Sequence, residues 1–340
     1  MIKLGPILSS PISDNESVYV GTITGRIYRV DRNDLAIKWH ANAHNPVVST
    51  PSIYKRHLMV ATFSTWIYEP DPHDSEPSGV TALDIHDATK KWKFELQGGV
   101  FSSICSVKDI HVFGCLDGKI YAVNNEGNLI WRFTTGGEVW SSPSSDGQKI
   151  FVGSDDSKLY AMDLDGKLIW KTKLNGKIRS SSPCLSRDTS RGLNSLYIGT
   201  QSGNLYKINK DNGAIVWSLY LGSPLLSSPS SIRDYVLVGS SDCNLYCISA
   251  GDGNLIWKFR TAGKVWSSPL LTRGLRCIVG SLDCHIYYLD MHTGQLIWKF
   301  PTMDMIDSSP CLVGGFLFVG SRDGYLYSFN QGGGMVSYIS

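Results

Sequence analysis

The fold is decided by the stretch VWSSPSSDGQKIFVGSDDSKLYAMDLDGKLIWKTK, residues 139–173. It contains four short runs rich in β-branched and aromatic residues, separated by the turn sequences DGQ, DDS and LDG. Asp-Gly and similar small polar pairs adopt the positive-φ conformations of tight hairpins, so the runs predict an antiparallel meander. No part of the stretch has the period of an amphipathic helix. The stretch therefore predicts one four-stranded sheet.

The same pattern recurs along the whole chain, which is the signature of a repeat protein. Each unit begins with a Ser-Ser-Pro-like triplet. In most units three further strands follow: the first ends in glycine, the second contains a tyrosine and the third contains a tryptophan. The eight triplets begin at residues 9, 49, 102, 141, 181, 227, 267 and 308. We therefore predict an all-β fold, an eight-bladed β-propeller of four-stranded antiparallel blades. The blades are expected at about residues 5–44, 45–97, 98–136, 137–175, 176–222, 223–263, 264–304 and 305–340, in a single domain spanning 1–340.

Proline in the triplet identifies the innermost strand of each blade. Seven of the eight triplets contain proline, which donates no ladder hydrogen bond and is tolerated only at a sheet edge or a bulge. An open β-solenoid is the alternative fold, but its turns are usually shorter and form no four-strand meander. The final segment MVSYIS, residues 335–340, is expected to supply the last outer strand, so that the ring closes without an exchange of strands between the termini.

Composition excludes several classes of protein. The 32 basic and 30 acidic residues give a net charge of only +2. Nucleic-acid-binding surfaces normally have a clear excess of Lys and Arg, so nucleic acid is not an expected partner. The N-terminus lacks the apolar run of a signal peptide, and no later run is long enough for a membrane span. The eight cysteines are isolated, with no CxxC pair, which favours a reducing compartment and no metal site. We expect a cytoplasmic monomer.

Several segments resemble the tryptophan-docking repeat of PQQ-type, or quinoprotein alcohol dehydrogenase-like, β-propellers. One is YLDMHTGQLIW, residues 288–298, and the likeness covers nearly the whole chain. GSLDCHIYYLD, residues 280–290, and GSRDGYLYSF, residues 320–329, look most similar to the C-terminal propeller of the β-alanine-activating adenylation enzyme. The resemblance implies that each tryptophan packs against the neighbouring blade and that an aspartate holds the turn.

The catalytic members of that family carry features that this sequence does not match. They have two adjacent cysteines over the quinone, a calcium held by Glu and Asn, and an Asp base, whereas no two cysteines are adjacent here. The fold transfers between such relatives more readily than the chemistry. We therefore expect a non-catalytic scaffold without a cofactor, binding a protein or peptide on its rim or a small ligand in its funnel. The alternative is a dehydrogenase-like enzyme that binds PQQ and Ca²⁺ in the central funnel.

Candidate funnel residues come from the column of residues that precede the first serine of each triplet, and from Arg179, which stands just before that column in its unit. Trp140 and Trp266 offer stacking faces to a planar ligand, and Arg179 is suited to bidentate binding of a carboxylate. The alternative for the tryptophans is packing between blades. Asp307 stands in the same largely apolar column and must be solvated or paired, with Arg179 or with channel water as the expected partner.

A second candidate surface is the acidic insertion at residues 69–79, predicted to lie on the same rim. It contains four carboxylates, Asp71 and Asp74 among them, and no Lys or Arg. Such a loop can engage a basic partner or a hard cation, and the alternative is a solvated loop stiffened by proline. Trp66, at the base of the insertion, is expected to be partly exposed. The predicted binding rim therefore consists of Trp66, Asp71, Asp74 and Asp307.

Overall fold

The computed structural model describes residues 1–63, 77–186 and 194–330, and within these ranges the secondary structure is β-strand without helix. The strands form eight antiparallel sheets of four strands each. These sheets are the blades of an eight-bladed β-propeller, which confirms the predicted fold class. No helix in these ranges is long and apolar enough to cross a membrane.

The strands are short and follow one another at regular intervals. In chain order they are β1 (Ile2–Lys3), β2 (Ile12–Ser13), β3 (Ser17–Gly21), β4 (Arg26–Asp31), β5 (Ile37–Asn42), β6 (Ser52–Tyr54), β7 (His57–Thr62), β8 (Ser78–Asp84), β9 (Lys90–Leu96), β10 (Cys105–Val107), β11 (Ile110–Gly114), β12 (Lys119–Asn124), β13 (Leu129–Thr134), β14 (Ser144–Ser145), β15 (Lys149–Gly153), β16 (Lys158–Asp163), β17 (Leu168–Lys173), β18 (Cys184–Leu185), β19 (Ser195–Gly199), β20 (Asn204–Asn209), β21 (Ile215–Tyr220), β22 (Ser230–Ile232), β23 (Tyr235–Gly239), β24 (Asn244–Ser249), β25 (Leu255–Arg260), β26 (Leu270–Leu271), β27 (Arg276–Ser281), β28 (His285–Asp290), β29 (Leu296–Pro301), β30 (Cys311–Val313), β31 (Phe316–Gly320) and β32 (Tyr325–Asn330).

Seven blades are continuous in sequence, from an inner to an outer strand. Blade 1 is β2–β5 and blades 2 to 7 follow in groups of four strands, ending with β26–β29. The second and third strands of each blade are largely buried on both faces, as in β15 and β16, because a neighbouring blade covers each face. Outer strands such as β17 are mostly exposed. The apolar core therefore lies between the blades.

The ring closes by an exchange of a strand between the chain's two ends. In blade 8 the order is β1-β32-β31-β30, and Ile2 lies opposite Leu326 while Lys3 lies opposite Tyr325. The expectation of closure without exchange is therefore wrong. Pairing the first strand with the last one adds backbone hydrogen bonds that packing between blades cannot supply. Residues 335–340, expected to supply this strand, lie outside the described residues.

A glycine at the end of the second strand allows adjacent blades to approach closely. A Cβ on Gly153 would lie 2.2 Å from Cγ2 of Ile178, and one on Gly320 would lie 2.3 Å from Cγ2 of Ile7. Both isoleucines are fully buried and precede the inner strand of the next blade. The small residue that closes each second strand in the sequence is therefore a contact point between blades.

Six of the seven outer-strand tryptophans in the described residues donate a hydrogen bond to the turn between the third and fourth strands of the next blade. Trp131 donates from Nε1 to the Leu164 carbonyl oxygen at 2.8 Å, and a Cβ on Gly166 would lie 2.5 Å from its ring. Gly166 also has a φ of 80°, which favours glycine. The Asp163 carboxylate accepts the Lys167 backbone N–H at 2.8 Å and so holds the same turn. Each of these tryptophans thus joins two blades at their periphery.

Candidate functional site: the central funnel

A funnel opens on the propeller axis. It has a volume of about 620 Å³ and is lined by all eight blades. Two rings of side chains form its wall. The mouth ring consists of Leu8, Val48, Phe101, Trp140, Ser180, Leu226, Trp266 and Asp307. The hydroxyl ring, two residues further along each blade, consists of Ser10, Thr50, Ser103, Ser142, Ser182, Ser228, Ser268 and Ser309.

The first serine of most triplets bonds within its own blade, whereas Ser227 accepts the Gly239 N–H of its own blade and donates to the Ser267 carbonyl of the next blade at 3.1 Å. Ser9 is fully buried, and its Oγ donates to the Gly21 carbonyl at 2.8 Å and accepts the Gly21 N–H at 3.0 Å. Ser308 makes the same two bonds with Gly320, at 2.8 and 3.0 Å. This hydroxyl therefore fixes the inner strand to the second strand just above the proline, where ladder pairing is interrupted.

The second hydroxyl residue of the triplet links neighbouring blades. The backbone N–H of Ser103 donates to Oγ of Ser142 at 2.8 Å, and that of Ser309 donates to Oγ of Ser10 at 2.8 Å. The other links, at 2.9–3.1 Å, run from Thr50 to Ser103, Ser142 to Ser182, Ser182 to Ser228, Ser228 to Ser268 and Ser268 to Ser309. Because each hydroxyl accepts in these links, its own proton is left to donate. The ring can therefore offer hydroxyl donors to a guest.

One side of the mouth carries an aromatic arc, which we define as Phe63, Phe101 and Trp140; Phe101 and Trp140 line the funnel, and the buried Phe63 packs against Phe101. The ring centroids of Phe63 and Phe101 are 4.1 Å apart, and those of Phe101 and Trp140 are 4.3 Å apart. The Arg179 guanidinium continues this row, with Cζ 4.8 Å from the Trp140 ring centroid. The structure thus brings two of the predicted site residues, Trp140 and Arg179, into contact.

The Arg179 guanidinium already forms ion pairs with carboxylates of the protein. Its Nε donates to Asp155 Oδ2 at 3.1 Å, its Nη2 also contacts that carboxylate, and Glu138 lies 3.6 Å away. The hydrogen bond to Asp155 is the main cause of the raised pKa of Arg179. Glu138 also accepts a hydrogen bond from Trp140 Nε1 at 2.8 Å. A ligand carboxylate would have to compete with Asp155, so Arg179 as an anion-binding residue stays a prediction.

Asp307 forms an ion pair with Arg322, a residue that was not among the predicted site residues. Arg322 donates from Nη2 to Asp307 Oδ1 at 3.0 Å and from Nε to Oδ2 at 2.5 Å. The expected pairing with Arg179 is therefore wrong, because Arg322 follows the second strand of the same blade and is closer. The second strand of each blade has a glycine at or near its end, replaced by Ala61 in blade 2. Two positions after it, only Asp155 and Arg322 are charged among the described residues. That pattern was visible in the sequence.

Trp266 lies three blades further round the ring than Trp140. Its Nε1 donates to Ser241 Oγ at 3.2 Å, and Lys264 Nζ lies 5.5 Å from its ring centroid. Two methionines on the loop between β29 and β30 extend this side of the rim, with Met303 77% and Met305 39% exposed. The apolar mouth therefore continues onto the rim.

Aspartates hold the turns of this rim. Asp156 Oδ2 accepts the Tyr160 hydroxyl at 2.5 Å and the Gly136 N–H at 3.0 Å. Burial pushes the pKa of Asp156 upward, but hydrogen bonds from Tyr160 and Lys158 outweigh it and the pKa is lowered. The same pairing joins Asp283 to Tyr287 at 2.7 Å. These carboxylates hold the turns of the rim in place, and the lowered pKa of Asp156 keeps that residue an anion at neutral pH.

The remaining predicted rim residues, Trp66, Asp71 and Asp74, lie outside the described residues. Within residues 1–63, 77–186 and 194–330, no group of three or more His, Cys, Asp or Glu side chains is placed to hold a metal ion.

Two family models match the chain. One, described as the β-propeller of the β-alanine-activating enzyme, matches residues 75–277, more than half of the chain. The other, described as the outer membrane protein assembly factor BamB, matches residues 2–132. No curated protein matches the sequence.

Solved structures share the fold at low sequence identity. BamB from Moraxella catarrhalis has a TM-score of 0.80 at 18% identity, covering 97% of this chain and 98% of that chain. Sqt1 from Saccharomyces cerevisiae has a TM-score of 0.80 at 13% identity, and the computationally designed protein Ika8 has 0.78 at 15%, each covering 96% of both chains. These structures show the fold alone. The two family matches confirm the resemblance to PQQ-like repeat propellers, and the chain belongs to the family of β-propellers of β-alanine-activating enzymes.

Proposed function

We propose that this propeller is a non-catalytic binding scaffold that takes up an apolar or aromatic side chain of a protein or peptide partner in its funnel mouth. The observation that carries the proposal is the aromatic arc beside an open cavity of about 620 Å³. Half-buried aromatic side chains that line a concave space, as Phe101 and Trp140 do, are typical of the anchor pockets of protein interfaces. Met303 and Met305 supply further adaptable apolar surface on the rim.

The charges at the mouth support a neutral guest. Arg179 is paired with Asp155, and Arg322 is paired with Asp307. An anionic guest would have to break one of these pairs and leave a partly buried carboxylate without its cation, which is costly. A neutral aromatic or aliphatic side chain requires no such exchange. Below it, the hydroxyl ring offers donors to the carbonyl groups of an extended peptide backbone.

The family comparison supports a role in protein interaction. One matching model is named for an outer membrane protein assembly factor, and assembly requires contact with other proteins. In the proposal, the rigid ring of blades holds the mouth ring in place, so that little conformational entropy is lost on binding.

Replacing Trp140 by alanine is expected to weaken peptide binding by roughly thirtyfold, because an aromatic hot-spot residue contributes about 2 kcal/mol or more. Peptides selected from a random displayed library against the purified protein are expected to be enriched in Phe, Tyr, Trp or Leu. Isothermal titration with one selected peptide then compares wild type and variant. Ile169→Ala, a change at an exposed position on outer strand β17, is the control and should leave the affinity unchanged. Equal affinity of wild type and Trp140→Ala would contradict the proposal.

The alternative function, a quinoprotein-like enzyme, requires an anionic quinone and Ca²⁺ in the same funnel. The funnel residues fit such a group poorly, because both arginines at the mouth are bound to protein carboxylates.

Millimolar PQQ with calcium is expected to leave the protein's tryptophan fluorescence unchanged after correction for absorption by the quinone. Trp140 and Trp266 both line the funnel, so a quinone bound there would quench them strongly. N-acetyltryptophanamide at the same tryptophan concentration supplies the correction. Saturable quenching that is lost in a Trp140→Phe, Trp266→Phe variant would favour the enzyme instead.

A further inference from the structure

The outer strands of the blades are sheet edges, and most of them carry charges that oppose further pairing. In the described part of the chain, β5, β9, β13, β17, β21, β25 and β29 each have one hydrogen-bonded neighbour strand. Natural edge strands avoid association by placing Lys, other charges or Pro on the edge. Six of these seven strands contain such cations: Lys38, Lys90, Lys91, Lys93, Arg132, Lys171, Lys173, Lys258, Arg260 and Lys299.

Strand β21 of blade 5 is the exception. Its sequence, IVWSLY, contains no charged residue and no proline. Ile215 is 45%, Val216 52% and Tyr220 67% exposed, and Ser218 is exposed as well. β-branched and aromatic residues give this segment a high strand propensity. It therefore has the composition of an edge that accepts another strand.

We propose that β21 is a self-complementary docking edge through which two copies of this chain pair antiparallel about a twofold axis. In such a pair, opposite residues point to the same face, so their positions must share parity. A register centred on Ser218 places Ser218 opposite its counterpart in the second copy. It also places the exposed Val216 opposite Tyr220, twice by symmetry. Such cross-strand pairs of aromatic and β-branched residues stabilise antiparallel sheets.

The other blades show why this edge favours a copy of itself. The residue after the docking tryptophan occupies the centre of the same register, and it is a cation in five of them: Lys93, Arg132, Lys171, Lys258 and Lys299. Each would face its own counterpart, and like charges directly opposite are destabilising. Ser218 faces a hydroxyl that can exchange a hydrogen bond with it. A partner strand with acidic residues would pair more favourably with the cationic outer strands than with β21. The uncharged β21 is therefore suited to pairing with a second copy of itself.

The size of the edge predicts a weak, concentration-dependent dimer. β21 has six residues, and pairing two such strands buries less surface than a permanent dimer needs. We expect a Kd of the order of 10–100 µM. One edge accepts one strand, so association stops at two copies. This goes beyond the monomer expected from the sequence, and it leaves the funnel mouth free because the outer strands are at the periphery.

Sedimentation velocity over a range of protein concentrations tests the proposal. Wild type is expected to pass from monomer to dimer, and Ser218→Lys, which restores the cation found in the other blades, should weaken dimerisation about tenfold or more. Val216→Lys is a second variant with the same expectation. Ile169→Lys adds an identical charge at the matching position of β17 and should not change the dimer. Thermal melts establish that each variant is folded, and if one is not, the other decides.

Three results would overturn the proposal: a wild-type protein that stays monomeric up to several hundred micromolar, a dimer that survives both Ser218→Lys and Val216→Lys, or growth beyond two copies. Hydrogen exchange gives an independent readout. The peptide containing residues 215–220 should become protected as the concentration rises, while the matching segment of β17 should not.

Discussion

Gly153→Val is expected to lower the free energy of unfolding by about 3 kcal/mol or more, because it overpacks a contact between two blades. Even the first added carbon would lie 2.2 Å from Cγ2 of Ile178, well inside van der Waals distance. Ile178 is fully buried and leads into the inner strand of blade 5, so it cannot rotate into solvent. Chemical denaturation followed by circular dichroism measures the loss.

Two further variants separate overpacking from the loss of glycine itself. Gly251→Val is the control, because the nearest atom to a Cβ there is Ser249 Oγ at 3.7 Å, and its effect should stay within about 0.5 kcal/mol. Ile178→Ala alone should cost about 2–5 kcal/mol through the cavity it leaves. Combining it with Gly153→Val should cost less than the sum of the two, because the valine fills part of that cavity. Strict additivity would contradict a direct contact.

Deleting residues 2–4, so that Met1 precedes Gly5, is expected to lower the Tm by about 5–10 °C. The deletion removes β1, its pairing with β32 and the hydrogen bond of 2.7 Å from the Leu4 N–H to the Gly324 carbonyl. Leu4 is 6% exposed, and Ile2 packs against the cluster between blades 8 and 1. Blade 8 would lose its outer strand, and the ring would be held at that point by packing alone.

The control for this deletion is Lys3→Ala, which keeps the backbone pairing and removes an exposed side chain. It should change the Tm by less than about 2 °C. Limited proteolysis provides a second readout, because an opened ring should expose blade 8 to cleavage before the others. An unchanged Tm after the deletion would mean that the exchanged strand contributes nothing to closure.

The periodic features of the fold were predictable because they depend on local chemistry. Turn sequences such as Asp-Gly favour hairpins. The Ser-Ser-Pro-like triplet, the glycine of the second strand and the tryptophan of the outer strand each recur about once per blade, so that the blades can be counted from the sequence. The exchange of β1 was not predictable in this way. β1 has only two residues, too few to carry a pattern, and its partner lies more than three hundred positions away in the chain.

The candidate site was predictable only in part. Trp140, Trp266 and Asp307 line the funnel, as their position in the repeat indicated. The contact of Trp140 with Phe101, and the pairing of Asp307 with Arg322, depend on the angle between neighbouring blades and on side-chain rotamers. A repeat pattern places residues on a ring, but it does not say which neighbours touch.

The number of blades, the antiparallel direction of the strands and the position of each side chain in the repeat are all encoded locally in the sequence. These follow from short-range turn geometry and from the alternation of side chains along a strand, which act within a few residues. The closure of the ring, the division of the serine hydrogen bonds between bonds within a blade and bonds between blades, and the pairing of each arginine with its aspartate are visible only in the folded chain. Those outcomes depend on distances between segments remote in the chain, and no local interaction specifies them.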